Sequence, residues 1–183
     1  MKMSKKSGRT RPSASRPRIL AIDPGYDRLG VAVLRPATPR PTLLFSACLI
    51  SRRDQTIAER LLVLGRELEK IITRWRPTTL ALEKLFFATN RKTASAVAEA
   101  RGMILYLAAK HHLSVSEFSP PAIKLAVAGH GRADKAAIIR MVPRLIVLPH
   151  QPRHDDEYDA IAIGLTALAR LSAGLARPQV GLT

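Results

Sequence analysis

The clearest pattern in the sequence is an apolar run that ends in a carboxylate and two turn residues. Residues 19–22 are all apolar, which is typical of a strand covered on both faces, and Pro24 and Gly25 end strand pairing directly after Asp23. The pattern predicts a buried strand with Asp23 at its end, where α/β folds hold their chemistry. An acid before Pro-Gly fits a plain turn-forming role equally well on this stretch alone.

Further apolar periodicities predict four more strands and five helices. The later strands are predicted at residues 30–34, 43–50, 79–83 and 113–118. The helices are predicted at residues 54–75 with Asp54 as N-cap, 91–111, 120–128, a short segment after Asp134 that Pro143 closes, and 155–171. In the second of these helices, Gly102 is a position that could allow a close crossing. Short connections favour antiparallel pairing of the first three strands. The alternation predicts an α/β fold, with a mixed five-stranded sheet flanked by helices on both faces.

Acids recur where other predicted elements begin or end. Glu83 closes the strand at 79–83, as Asp23 closes the first strand. The last helix opens with Asp155, Asp156 and Asp159, and helical spacing places Asp159 on one face with either of the other two. Acids in a first helical turn are also ordinary capping residues. Spacing alone does not choose between Asp155 and Asp156.

Taken together, these acids indicate a metal site. Converging carboxylates repel one another, and without a cation one or more would become protonated. Oxygen ligands select hard cations such as Mg²⁺ or Mn²⁺, and a two-ion cluster promotes phosphodiester hydrolysis by holding the attacking and leaving oxygens. The predicted chemistry is that of a metal-dependent nuclease.

The charge balance points to a polyanionic partner. The 183 residues contain 30 Lys and Arg against 14 Asp and Glu, for a formal charge of +16, which favours nucleic acid over a small acidic molecule. Residues 1–18 carry seven basic residues and no acid, and their composition predicts a disordered tail that attracts phosphates. We therefore expect a basic tail at 1–18, one domain at 19–173 and a flexible C-terminus at 174–183.

Cysteine content and hydropathy indicate the compartment. The one cysteine, Cys48, excludes an internal disulfide and fits a reducing cytoplasm. No apolar stretch approaches the ~20 residues of a membrane span, and no signal-peptide core is present. The sequence predicts a soluble, cytoplasmic protein without membrane association.

Several ordered blocks resemble one known family. Between Ile19 and about Ala169 the chain is similar to RuvC-type Holliday-junction resolvases, which are ribonuclease H-like nucleases. The blocks that carry the resemblance are Ile22-Asp23-Pro24-Gly25, Ala81-Leu82-Glu83-Lys84-Leu85-Phe86 with Asn90, Ala100-Arg101-Gly102, Ile123-Lys124, Gly129-His130-Gly131-Arg132-Ala133-Asp134-Lys135 and Asp156-Glu157-Tyr158-Asp159-Ala160. The resemblance implies a ribonuclease H-like fold and a crossover junction endodeoxyribonuclease activity.

The resemblance also implies roles for individual residues. It makes Asp23, Glu83, Asp156 and Asp159 the metal-binding tetrad, with two Mg²⁺ ions for which Mn²⁺ can substitute, and it selects Asp156 over Asp155. The other implied site residues are Lys135, both catalytic and DNA-binding, and Lys124, Arg132, Phe86 and Asn90, which bind DNA. Without the motif, the lysines would be ordinary solvated side chains, and Phe86 could belong to the core.

The resemblance extends to assembly and partners. It implies a homodimer that nicks two opposed strands of a four-way DNA junction and works with the RuvA and RuvB branch-migration proteins. Either helix 54–75 or helix 91–111 is the expected dimer contact. Apolar residues such as Leu62 and Val63 exceed what one stripe of the first helix requires and would be available for a partner. The segment 49–53, which ends in Arg52 and Arg53, lies outside the usual family pattern, as does the basic tail.

Two other functions remain open from the sequence. A YqgF-type nuclease, which acts in ribosomal RNA processing, also opens with Asp-Pro-Gly followed by Arg-x-Gly, matched here by Arg28 and Gly30. The Phe86 and Lys135 blocks fit the resolvase better. A non-catalytic nucleic-acid-binding protein on the same fold would be expected to lack one of the carboxylates, and all four are present.

Overall fold

A computed structural model describes residues 17–84, 91–149 and 154–174. The predictions for Phe86, Asn90, the basic tail up to residue 16 and the C-terminal residues from 175 concern positions outside the described residues. The described residues form five strands and five helices. In chain order these are β1 (Ile19–Asp23), β2 (Arg28–Arg35), β3 (Thr42–Ile50), α1 (Ile57–Trp75), β4 (Thr79–Glu83), α2 (Arg91–Lys110), β5 (Ser114–Phe118), α3 (Pro120–Ala128), α4 (Lys135–Leu145) and α5 (Asp155–Ser172).

The five strands form one mixed sheet in the order β3-β2-β1-β4-β5. The first three strands pair antiparallel, while β4 runs parallel to β1 and to β5. This confirms the predicted mixed sheet. It also places the ends of β1 and β4 side by side, because Ile22 of β1 is paired with Leu82 of β4.

Helices cover both faces of the sheet, as predicted. Alternate residues of β1 point to opposite sides: Ile19 and Ala21 pack with α3, α4 and α5, whereas Leu20 and Ile22 pack with α1 and α2. All four are fully buried, which explains why the strand reads as a continuous apolar run. No helix of residues 17–84, 91–149 and 154–174 is long and apolar enough to cross a membrane.

Helix α5 is the most deeply buried helix of the described chain, with eleven buried residues. It lies across β1 and β2, and Gly164 makes the contact possible. A Cβ at Gly164 would lie 2.9 Å from Leu34 Cδ2 and 3.2 Å from Ala21 Cβ, with Leu34 Cδ1 closer still. The close contact fixes the position of α5 over the strands that carry the candidate site.

Three local predictions were wrong. Thr56, not Asp54, caps α1: its hydroxyl accepts from the Glu59 N–H, while Asp54 pairs with Arg52. Pro143 lies inside α4, which continues to Leu145, because a proline in the last turn costs few hydrogen bonds and the helix gains from burying Val142. No described atom lies within 4 Å of a Cβ built at Gly102, so this glycine does not mark a close crossing.

Candidate active site

Three of the predicted carboxylates converge at one edge of the sheet. Asp23 ends β1, Glu83 ends the adjacent strand β4, and Asp159 lies in the second turn of α5, which crosses above them. A cavity of about 240 Å³ opens here. It is lined by Asp23, Glu83, Pro120, Ile123, Lys124, Lys135, Ile138, Asp159 and Ala162. The structure therefore gathers acids and lysines from five elements that are distant in sequence.

Asp156, the fourth predicted carboxylate, lies one turn earlier on α5 and faces β2 and β3. Its Oδ2 is 3.4 Å from Arg28 Nε and accepts from the Cys48 thiol at 3.5 Å. Gly30 makes this position possible, because a Cβ there would lie 2.7 Å from the carbonyl carbon of Asp156 and would overlap its oxygen. Gly30 pairs with both Asp23 and Cys48, so the first turn of α5 sits directly over the candidate site.

The carboxylates strongly perturb one another. Burial raises the pKa of Asp23 to about 7, with further contributions from the charges of Asp159, Glu83 and Asp156. Burial also raises the pKa of Glu83 and of Asp159, and the neighbouring acids add to both shifts. Paired acids with raised pKa values in a cleft are a recognised mark of a functional site. The same cluster attracts a cation.

Two lysines partly offset this negative charge. Lys135 Nζ is 3.1 Å from Asp159 Oδ2 and 3.4 Å from Asp155 Oδ2. Partial burial lowers the pKa of Lys135, but these hydrogen bonds and charges outweigh it and raise the pKa overall. The charge of Lys124, from α3, lowers the pKa of Glu83. Both lysines therefore face the acids from the α3 and α4 side of the cavity.

The donor set fits a hard metal ion, although the side chains are not arranged to hold one as they stand. In the described part of the chain, no three His, Cys, Asp or Glu side chains could together hold a metal ion. Asp159 is instead paired with Lys135, and Asp156 with Arg28. The candidate ligands are all carboxylate oxygens, and a divalent cation would relieve the repulsion between them. Rotation of Asp156 and Asp159 away from their cationic partners would make the set available.

The other predicted site residues differ in placement. Lys124 and Lys135 both line the cavity with the acids. Arg132 is exposed on the loop between α3 and α4 and is not among the residues that line the cavity. Asp155, the alternative to Asp156, has a side chain that is 63% exposed.

Several charged side chains with little solvent exposure support the site but were not assigned a role from the sequence. Arg101 of α2 donates to the backbone oxygen of Glu83 at 2.9 Å and pairs with Glu117 of β5, which fixes the end of β4. Glu157 accepts from the Ser46 hydroxyl at 2.5 Å and from the His154 N–H, which ties α5 to β3. Arg101 occupies a position in the apolar stripe of its helix, and a charge at such a position was the available signal.

Arg60 holds the turn that follows Asp23. Its side chain is only 10% exposed, although it lies on a helix that the sequence describes by its apolar stripe. The guanidinium pairs with Asp27, donates to Ser51 Oγ at 3.0 Å and to the Tyr26 backbone oxygen, and lies 4.8 Å from the Tyr26 ring centroid. Arg60 therefore connects α1, the turn between β1 and β2, and the end of β3.

Fold and site together define a ribonuclease H-like nuclease: a mixed sheet with acids at adjacent strand ends and on a crossing helix. The model of one family, crossover junction endodeoxyribonuclease RuvC, matches residues 19–167. The chain belongs to the RuvC family of crossover junction endodeoxyribonucleases. Individual relatives match the chain over most of their own length.

Two relatives of that description illustrate the similarity. The chain is 40% identical over 147 residues to the RuvC of Alkaliphilus oremlandii, a match that covers 80% of this chain and 90% of the relative. It is 39% identical over 148 residues to the RuvC of Thermomicrobium roseum, with 81% and 90% covered.

Solved structures give the same result in three dimensions. The Thermus thermophilus RuvC structure matches with a TM-score of 0.79 at 29% identity, covering 88% of this chain and 99% of that one. The same protein in complex with a Holliday junction substrate matches with a TM-score of 0.81 and the same identity and coverage. The yeast mitochondrial Holliday junction resolvase Ydc2 shares the fold, with a TM-score of 0.60 at 13% identity over 90% of this chain and 86% of that one.

Proposed function

We propose that this protein is a divalent-metal-dependent endonuclease that resolves Holliday junctions by nicking two opposed DNA strands symmetrically during recombination and repair. The observation that carries the proposal is the convergence of Asp23, Glu83 and Asp159 with Lys124 and Lys135 in one cavity, with Asp156 beside it. Membership of the RuvC family and the net positive charge agree with a DNA substrate.

Asp23, Glu83, Asp156 and Asp159 are the residues that would hold the metal. We infer two Mg²⁺ ions, with Mn²⁺ as a substitute, because oxygen-only ligands favour hard cations and phosphodiester hydrolysis commonly uses a metal pair. When bound, these ions supply the activation of the attacking water and the stabilisation of the leaving oxygen. The raised pKa of Asp23 means that cation binding also displaces a proton near neutral pH.

Lys135 acts in this proposal as a fixed positive charge. Its raised pKa keeps the ammonium protonated at neutral pH, so it stabilises negative charge on the phosphate and does not serve as a general base. Lys124, on the same side of the cavity, binds an adjacent phosphate. Arg132, Phe86 and Asn90 complete the proposed DNA contacts, with Phe86 stacking on unpaired bases at the crossover.

The proposed active species is a homodimer, because two symmetric nicks require two sites and the described residues of one chain supply one carboxylate cluster. Leu62 of α1 is 52% exposed, and Val63 is also exposed, so both are available for a partner. RuvA and RuvB are the partners that family membership suggests. The free thiol of Cys48 fits a reducing compartment, and we place the protein in the cytoplasm.

Cleavage of a synthetic four-way junction tests the proposal directly. Each of the four strands is end-labelled in turn, and nicking is followed with Mg²⁺ and with a chelator. We expect nicks on one pair of opposed strands, at symmetric positions, only when Mg²⁺ is present. A linear duplex of the same sequence serves as the control and should be cut far more slowly.

Two other outcomes would replace the proposal. Cleavage of a ribosomal RNA precursor without cleavage of the junction would indicate a YqgF-type nuclease. Tight junction binding without metal-dependent cleavage would indicate a non-catalytic DNA-binding protein.

A further inference from the structure

Lys135 and Arg28 contact the carboxylate cluster from opposite sides, and of these two only Lys135 has been given a role. Lys135 approaches Asp159 from α4, with 3.1 Å between Nζ and Oδ2. Arg28 approaches Asp156 from β2, with 3.4 Å between Nε and Oδ2. Lys124 lies with Lys135 in the cavity, so the assigned phosphate contacts are all on the α3 and α4 side. On the β2 side, Arg28 contacts Asp156 much as Lys135 contacts Asp159 on the other side.

Arg28 is held in place but remains accessible. It is the first residue of β2, its Nη2 donates to Nδ1 of His154 at 3.1 Å, and its side chain is 49% exposed. Arg28 also forms a hydrogen bond with Cys48. A guanidinium has five N–H donors in a planar fork that matches a phosphate, so these contacts leave donors available. A cation bound by Asp156 competes with Arg28 for the same carboxylate, which frees the guanidinium further.

The same edge of the sheet carries two more exposed arginines. Arg28 is paired in register with Ile50 at the end of β3, and Arg52 and Arg53 follow after Ser51. Arg52 is exposed and pairs with the exposed Asp54, a contact that contributes little in solvent. Arg53 is 85% exposed, with Asp27 as its nearest acid at 3.4 Å. Because Asp27 is already neutralised by the buried Arg60, the weak exposed pairing leaves Arg53 available to another anion. We call Arg28, Arg52 and Arg53 the β3-side rim.

We propose that the β3-side rim is a second phosphate-binding strip of this nuclease, with Arg28 contacting the DNA backbone on the opposite side of the carboxylates from Lys124 and Lys135. The inference rests on the proposed junction-cleaving function and extends it to how the substrate is held. With cations on both sides, a DNA strand is fixed before and after the position that faces the acids. Backbone contacts of this kind position a nucleic acid without reading its sequence.

The salt dependence of binding gives a measurable signature of each phosphate contact. In the Asp159→Asn background, where Mg²⁺ is present but cleavage is not expected, junction affinity is measured at 50–200 mM salt. Affinity falls with salt, and removing one phosphate contact makes the slope of log affinity against log salt shallower by about 0.9. Arg28→Gln should therefore show this decrease. Across this salt range, the parent protein with Arg28 should lose about 3.5-fold more affinity than the variant.

Arg35→Gln is the matched control, because Arg35 is an exposed arginine on the same strand at the end remote from the acids. It should leave the slope unchanged. Arg28→Lys keeps the charge and should restore most of the slope. The double variant Arg52→Gln/Arg53→Gln should lower the slope by about 1.8, against no change for Arg35→Gln/Arg74→Gln. Thermal melting of each variant checks that it is folded.

The test separates binding from positioning. If Arg28 only orients Asp156, Arg28→Gln in the Asp159→Asn background keeps the parent salt slope. Arg28→Gln in the protein that retains Asp159 would instead raise the Mg²⁺ concentration needed for half-maximal nicking, and this pair of results would overturn the proposal. An equal loss of slope in Arg28→Gln and Arg35→Gln would overturn it too, since the effect would be one of net charge. Failure of the wild-type protein to bind or nick a four-way junction would refute the proposed function itself.

Discussion

At neutral pH, a buried carboxylate with a pKa near 7 is only partly ionised unless a cation lies beside it. Asp23 is in this position because burial and three neighbouring acids all disfavour its charged form, and Lys135 offsets only part of the effect. In the proposed function, these neighbouring acids serve metal binding, although their mutual repulsion opposes folding. Two predictions at this scale separate those roles.

The first concerns Asp159. Asp159→Asn should abolish metal-dependent nicking while junction affinity changes only a few-fold, because lysines and arginines supply most of the binding. Asp155→Asn is the matched control: it makes the same change one turn earlier on α5, at a side chain that is largely exposed. It should retain nicking. Parallel loss of binding and cleavage in Asp159→Asn would instead assign Asp159 a structural role.

The second concerns Asp23 in the metal-free protein. A folded-state pKa near 7, against about 4 unfolded, means that the folded state binds the proton more tightly. Protonation of Asp23 therefore adds to the free energy of unfolding. This contribution is complete below pH 4 and is lost as pH rises towards 7, by at most about 4 kcal/mol. Asp23→Asn should flatten this part of the stability profile.

Urea unfolding, followed by the fluorescence of the single tryptophan Trp75, measures this profile with and without Mg²⁺. At pH 8, Mg²⁺ at a hundred times its dissociation constant should stabilise the wild type by about 2.7 kcal/mol and Asp23→Asn by much less. Identical pH profiles for the two proteins would show that Asp23 is not the group responsible.

Among the elements, α5 and β2 determine whether the site forms. The first turn of α5 reaches the acids only because Gly30 leaves space beneath Asp156, and the rest of the helix is seated by Gly164 over Leu34 and Ala21. The site is therefore sensitive to small changes in the distance between this helix and the sheet.

Gly30→Ala tests that dependence. A methyl group there collides with the backbone of Asp156, so we expect a destabilisation of about 1–3 kcal/mol and a loss of nicking in the folded fraction. Gly102→Ala is the control within α2, where the added methyl group meets no described atom. It should stabilise the protein by about 0.5–1 kcal/mol and leave nicking intact. Thermal melting and junction cleavage report both effects, and unchanged nicking in Gly30→Ala would contradict this account.

For the molecule as a whole, the open question is symmetry. Helix α1 buries Leu64, Leu68, Ile71 and Ile72 against the sheet, yet it exposes Leu62, Val63 and part of Ile57 on its outer side. On α2, which packs beside α1, Tyr106 is also exposed. This outer apolar surface is what a two-fold interface requires.

Leu62→Glu should dissociate the proposed dimer. Sedimentation at the concentrations used for cleavage should show a dimer for the wild type and a monomer for the variant. The monomer would then nick one strand of a junction without resolving it. Leu125→Glu is the control, because Leu125 is similarly exposed but lies on α3, on the other face of the sheet. A wild-type monomer that cuts both opposed strands within one binding event would overturn the dimer model.

Much of this molecule follows from local sequence patterns. The apolar run before Asp23, the repeat of that pattern before Glu83 and the stripes of α1 and α5 predicted the strands, the helices and the two covered faces, because burial imposes its period on the sequence. The strand-end position of both acids followed from the turn residues and apolar runs alone. The local errors at Asp54 and Pro143 reflect capping and packing contacts that propensity does not specify.

Only the tertiary structure decided how the charged groups meet. Whether Asp155 or Asp156 lies against β2 depends on the rotation of α5. Gly30 and Gly164 fix that rotation through contacts with residues more than 120 positions away in the chain. The burial of Arg60 and Arg101 and the contact of Arg28 with Asp156 likewise join residues that are distant in the chain. Sequence periodicity records which face of an element is buried, whereas the partner of a buried charge is set by the packing of other elements.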